Sequence, residues 1–194
     1  MGLRIGDVSD IDETTLVIAP SIADSAFDKN DCERALKAAE IIPSKVVHLD
    51  FDDEKLGVFN MSVIPYTDET AWLYGKVYDL AISANEEVYK FDPLDMVEQI
   101  VYMDYYVGCY LDWHIDLGHN APHSGRKLSM VINLNDSDDY RGGDLQVMSS
   151  ESIKTTRSKG SCIFYPSYLR SKINPVMKGN KKILVAWFGG TNFK

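Results

Sequence analysis

His114-Ile115-Asp116 is the tripeptide in this sequence best suited to chemistry. On a β-strand, residues i and i+2 point to the same side, so an imidazole and a carboxylate can converge on one metal ion there. Two histidines and one carboxylate on one face of an octahedron form the usual non-haem Fe(II) site, with the opposite positions open. Taken alone, the tripeptide reads more simply as a surface His–Asp pair. The other histidines are His48, His119 and His123. His48 falls on an expected strand far from the motif and reads as structural. His119 and His123 lie in the polar stretch Gly118–Gly125, either as solvated loop residues or as a lid that touches substrate. Trp113 is expected to point away from the metal. Arg126 can reach substrate or pair with Asp138 or Asp139, and the ion pair is the simpler reading. Asp136–Asp139 reads as a turn, because the spacing of an EF-hand calcium loop is absent.

These side chains need a scaffold, and hydrophobic periodicity indicates which one. Asp28 or Asn30 can cap a helix running toward Ile42, with Cys32, Ala35, Leu36 and Ala39 on one face. Pro43 ends it, and a short strand, 45–49, follows. The acidic stretch 50–54 reads as a solvated loop. Thr67 and Asp68 open a second helix whose buried stripe is Leu73, Val77, Leu80, Ala81, Ala84 and Val88. Beyond Asp92-Pro93 the period shortens to two. Strands are expected over 99–107, 128–134, 144–147, 161–165, 173–176 and 183–188, with polar turns between them. This is an α+β, mainly β pattern: a sandwich or jelly roll with the earlier helices packed on one face of the sheet.

Composition narrows the function. The chain has 194 residues, enough for one domain with a substantial core, here 1–194 with a supporting region 1–97 and a core 98–190. A net charge of -9 makes it a poor general binder of nucleic-acid phosphates. No apolar run approaches the ~20 residues needed to cross a bilayer, and the first residues lack the apolar stretch of a secretory signal. Cys32, Cys109 and Cys162 are odd in number and widely spaced, so they read as free buried thiols in a reducing, cytoplasmic setting.

Three longer stretches change the weight of His114-Ile115-Asp116. They are EQIVYMDYYVGCYLDWHID, GRKLSMVINLNDSDDYRGGDLQV and KGSCIFYPSYLRSKINPVMKGNKKILVAWFGG. In order and spacing they resemble the Fe(II)/2-oxoglutarate-dependent dioxygenases, specifically the prolyl 4-hydroxylase-like branch of bacterial and phage type. The resemblance implies a double-stranded β-helix (jelly roll) with helices backing the major sheet. It implies Fe(II) held by His114 and Asp116, and 2-oxoglutarate anchored by Lys181. Tyr105, nine residues before His114, matches a family tyrosine that hydrogen-bonds the cosubstrate, and also suits core packing. The implied reaction splits O2, decarboxylates 2-oxoglutarate to succinate and hydroxylates a C–H bond of a peptidyl or small-molecule substrate, with ascorbate as a possible accessory reductant.

One departure stands out. The family's second iron histidine aligns with Ser171, ten residues before Lys181, and no histidine follows His123. A hydroxyl is a poor Fe(II) ligand beside imidazole. Water could complete the site, or His119 or His123 could swing in. The chain could instead be a non-catalytic, ligand-binding member of the fold, or the serine an introduced change.

Overall fold

The computed structural model describes residues 4–5, 19–51, 54–92 and 94–190. In chain order the elements are β1 (Arg4–Ile5), β2 (Ser21–Ala23), α1 (Lys29–Glu40), β3 (Lys45–Phe51), β4 (Glu54–Val63), α2 (Ala71–Ala84), β5 (Asp95–Met96), β6 (Val101–Tyr105) and β7 (Tyr110–Ile115). After them come β8 (Arg126–Asn133), β9 (Tyr140–Gly142), β10 (Leu145–Met148), β11 (Ser152–Lys154), β12 (Cys162–Pro166), β13 (Arg170–Ile173), β14 (Val176–Gly179) and β15 (Lys181–Gly189).

The strands run antiparallel in one curled sheet, ordered β1-β2-β12-β8-β15-β6-β4-β7-β13-β10-β11, with β9 and β14 as a separate pair. This is the jelly roll. Period-two alternation sorts its side chains into two cores. Leu128, Met130, Ile132, Phe164, Leu184, Ala186 and Phe188 face the helices, where Cys32, Ala35, Leu73, Val77 and Ala81 meet them. Val101, Met103, Tyr105, Val131, Ile163, Tyr165, Ile183, Val185 and Trp187 face the inside of the roll. A sheet covered on both faces needs apolar residues on both, which is why β8 is buried at every position.

Helix α1 begins at a capping box, in which the Asp28 side chain accepts from Asp31 N–H and the Asp31 side chain accepts from Asp28 N–H. Helix α2 starts at Ala71, later than expected, because Thr70 turns its hydroxyl to the Pro65 carbonyl and accepts from Thr67 N–H. Of the stretch 50–54, expected as a loop, Asp50 and Phe51 end β3 and Glu54 opens β4, the two strands pairing with each other, and residues 52 and 53 lie outside the described residues. Expected as one strand, 173–176 is instead divided between β13 and β14. Pro175 has no N–H for a ladder, and Asn174 N–H donates out to the Asp144 carbonyl.

Strand β4 holds the roll together. Its residues Asn60–Val63 pair with β6, while Gly57 and Val58 pair with Leu111 and Tyr110 of β7. A Cβ at Gly57 would lie 2.8 Å from the Tyr110 carbonyl oxygen, so this close crossing needs glycine. No described helix is long and apolar enough to cross a membrane.

Candidate active site

His114 owes its orientation to a bulge. Ser171 of β13 pairs with His114 of β7, but Ile173 pairs with Leu111, so Lys172 alone spans the two residues Asp112 and Trp113. Leu111 and His114 are three apart and would otherwise face opposite sides. The extra residue turns both inward, a common use of bulges beside sites. Trp113 is left on the outer side, under the cations of Arg170 and Lys172.

Inside the roll, His114 Nε2 lies 3.5 Å from Asp116 Oδ1. His114 Nδ1 sits 2.8 Å from the Asp112 carbonyl, which can only accept, so Nδ1 carries the proton and Nε2 presents its lone pair toward Asp116 when the ring is neutral. Such a contact fixes the tautomer and aim of a ligand histidine. The other carboxylate oxygen, Asp116 Oδ2, accepts from Ser129 at 2.7 Å and from Tyr165 at 3.1 Å. Ser129 also contacts Ser167, and the Tyr165 hydroxyl lies 3.4 Å from Ser171 Oγ.

Burial pushes the Asp116 carboxyl up. The hydrogen bond and charge of His114, the Ser129 hydroxyl and the charge of Arg126 outweigh that and hold it at about 2. Burial pushes His114 down, and the Asp116 carboxylate more than restores it, leaving it raised. The Tyr165 phenol is driven well up, by burial first and then by the charge of Asp116.

Arg126 braces this group from behind. Its guanidinium grips Glu98 through Nε and, at 2.7 Å, through Nη2, and donates to the Asp116 carbonyl at 3.1 Å. It stacks on Trp187, 3.8 Å from the ring centre. The expected partners, Asp138 and Asp139, lie instead in a short turn stabilised by its own capping box. Arg126 emerges beside β15, and Glu98 lies on the approach to β6, the neighbour of β15.

His114, Asp116, Tyr105, Tyr165 and Ser171 line one cavity of about 30 Å³, walled by Met103, Leu111, Ile173 and Trp187 among others. That is room for roughly two water molecules. Tyr105 is fully buried, its ring packed on Phe59 and its hydroxyl 3.4 Å from Met103 Sδ. Lys181 does not line the cavity. It lies on the same face of β15 as Ile183, Val185 and Trp187, one inward position further along. There its ammonium lies 3.3 Å from Asn133 Oδ1 and 3.4 Å from the Tyr140 hydroxyl, and it feels the charge of the Asp144 carboxylate. Burial, helped by the charge of Arg157, holds it down at about 7.

The loop histidines stay outside this group. His119 is exposed, and His123 Nε2 lies 3.8 Å from Glu98. No cluster of three His, Cys, Asp or Glu exists among the described residues. Another groove, of about 590 Å³ beside α1 and Trp72, is lined by residues such as Arg34, Lys37 and Ile41 and has no histidine. The candidate donors His114 and Asp116 line the smaller cavity instead. Sequence reasoning passed over Ser129 and Tyr165, although both occupy inward positions of strands it had placed.

Comparison with known proteins covers the same region. Residues 100–189 match the profile of the 2OG-Fe(II) oxygenase superfamily. A PKHD-type hydroxylase from Synechococcus sp. (strain CC9902) is 33% identical over 42% of this chain and 36% of its own length. Another, from Synechococcus sp. (strain CC9605), is 28% identical over 55% of this chain and 49% of its own. The chain thus spans half or less of the length of these relatives. Among solved structures, a Pseudomonas putida prolyl-4-hydroxylase superposes with a TM-score of 0.65 at 14% identity, covering 90% of this chain and 94% of its own. A Trichoplax adhaerens prolyl hydroxylase, in complex with a peptide fragment of hypoxia inducible factor, gives 0.68 at 14% identity, covering 88% and 83%. These likenesses establish the shared jelly-roll fold.

Proposed function

We infer that this chain, whose residues 100–189 belong to the 2OG-Fe(II) oxygenase superfamily, acts as an Fe(II)- and 2-oxoglutarate-dependent hydroxylase. One observation carries the reading: a histidine Nε2 of fixed tautomer and a carboxylate kept ionised face each other across 3.5 Å in a buried cavity. That donor pair suits a divalent metal, so His114 and Asp116 would hold the iron. Ser171 would stand at the third protein position, with the Tyr165 hydroxyl 3.4 Å from its Oγ. A fully buried ammonium whose hydrogen-bond partners are both neutral suits an anion, so Lys181, which also feels the Asp144 charge, would take the distal carboxylate of 2-oxoglutarate. Tyr105 would hydrogen-bond the same molecule. With only about 30 Å³ open, cosubstrate entry requires wall residues such as Met103 and Ile173 to move aside.

When bound, the iron and its cosubstrate supply the oxidising chemistry: O2 is divided between succinate, formed with CO2, and a hydroxyl on a C–H bond. The chain's own residues bind, orient and shield. Ser129 fixes the Asp116 carboxylate, Arg126 holds the Asp116 backbone carbonyl, the Asp112 carbonyl aims His114, and the apolar wall excludes water. A peptidyl substrate is favoured by the peptide complex of the Trichoplax neighbour, with a small molecule as the alternative. Ascorbate would serve as reductant.

Ser171 favours a second reading, a ligand-binding protein without turnover. Succinate production with Fe(II) and no added substrate, compared with His114→Ala, separates the two. Iron-dependent succinate that the variant loses supports the hydroxylase. Tight 2-oxoglutarate binding without succinate supports the second reading. Neither binding nor turnover refutes both.

A further inference from the structure

The aligned histidine is missing, but the space beside Ser171 is not empty of donors. Tyr165 enters the cavity from β12 and brings its phenolic oxygen to 3.1 Å from Asp116 Oδ2 and 3.4 Å from Ser171 Oγ. Ser171 is the register partner of His114. The phenol therefore lies beside the position that the sequence resemblance gives to the third ligand. A metal ion about 2.1 Å from two adjacent ligand atoms holds those atoms about 3 Å apart. Tyr165 lies 3.1 Å from Asp116 Oδ2 and His114 Nε2 lies 3.5 Å from Asp116 Oδ1, so the two donors flank the carboxylate at its two oxygens, and one ion reached by all three side chains would face both of them.

We propose that Tyr165 is the third protein ligand of the metal, giving a His114–Asp116–Tyr165 site in place of two histidines and a carboxylate. This rests on the reading of His114 and Asp116 as metal ligands. When the phenolic oxygen bonds to the metal it gives up its proton to solvent, so one proton is released for each ion bound and no electron moves. An anionic oxygen in place of a neutral nitrogen makes the donor set harder and more negative. Tyrosine is already known as an iron ligand in haem proteins. The site should therefore hold Fe(III) more firmly than Fe(II).

The signature is optical, because phenolate bound to Fe(III) has a charge-transfer band in the visible. The full chain is loaded with Fe(III), and its visible spectrum and bound iron are compared with those of Tyr165→Phe, Tyr105→Phe and His114→Ala. Melting curves confirm that each variant is folded. The expected result is a coloured wild type, loss of the band in Tyr165→Phe, and its retention in Tyr105→Phe, whose hydroxyl is turned to Met103. His114→Ala should lose iron and colour together. Iron bound without a visible band, or a band that survives in Tyr165→Phe, overturns the proposal and leaves the His114–Asp116 reading intact. Iron that binds His114→Ala as well as wild type, or no uptake by wild type, overturns both.

Discussion

Replacing Lys181 with methionine tests the buried ammonium directly. The side chains are similar in length, and the position is almost fully buried, so the change removes a charge with little change of volume. In the folded protein burial holds the group at about 7, against an ordinary 10.5. Between those values the unfolded chain binds the proton and the folded one does not, so wild-type stability from this group rises with pH. Below 7 both states are protonated and the full penalty for burying the charge is present. From pH 6 to pH 9 the contribution changes by about two pH units' worth, or ~3 kcal/mol. Lys181→Met lacks the group, and every other titration is common to both proteins. The variant should therefore be the more stable at pH 6, and its advantage should shrink by ~3 kcal/mol at pH 9. Urea unfolding of both proteins at the two pH values measures this. An advantage that is equal at both values, or a variant less stable at pH 6, would show that Lys181 is charged and well paired in the resting protein.

Three further outcomes are expected. Ser171→His places an imidazole opposite His114 and should raise Fe(II) affinity at least tenfold in competition with a chelator, given the weight of even outer contacts on such sites; unchanged affinity would mean that β13 cannot aim the ring. Glu98→Gln removes the charge gripping Arg126 and should cost ~1.5–3 kcal/mol in urea unfolding, with weaker metal binding because Asp116 loses its brace; a neutral result would make the ion pair superficial. Burial pushes the Cys32 thiol up to about 11 and the Cys162 thiol higher still, so both should resist an aromatic disulfide reagent at pH 8 until denaturant is added; rapid labelling of either thiol in the native protein would contradict the packing between α1 and the sheet.

The inward and outward faces of β6, β8, β12 and β15 were legible in the sequence because a sheet covered on both sides repeats every two residues. The convergence of His114 and Asp116 was legible for the same reason, from i, i+2 spacing alone. What aims them was not. The bulge at Asp112–Trp113 exists only through pairing with β13, almost sixty residues later in the chain. Arg126 was assigned to acids close to it in sequence, whereas Glu98 reaches it through the sheet. Strand β4 was missed because Gly57 and Asn60 interrupt its apolar pattern, and both are placed by neighbours rather than by propensity. Lys181 was expected in the same cavity as His114, but a strand's alternation gives the face and not how far along it the hollow extends.

The course of β4 also governs how the molecule can be assembled and cut. Its outer edge joins β3, and its other edge runs along both β6 and β7, so it spans the turn between them like a staple. Those contacts link residues some forty to fifty-five positions apart and cannot form locally, which is the kind of closure that slows folding. The segment beginning at residue 98 contains every side chain of the candidate site, yet expressed alone it would present unsatisfied backbone along β6 and β7, an open template for pairing with other chains. The hairpin 45–63 is thus a chaperone-like part of the fold itself, shielding the strand that carries His114 from association with its neighbours.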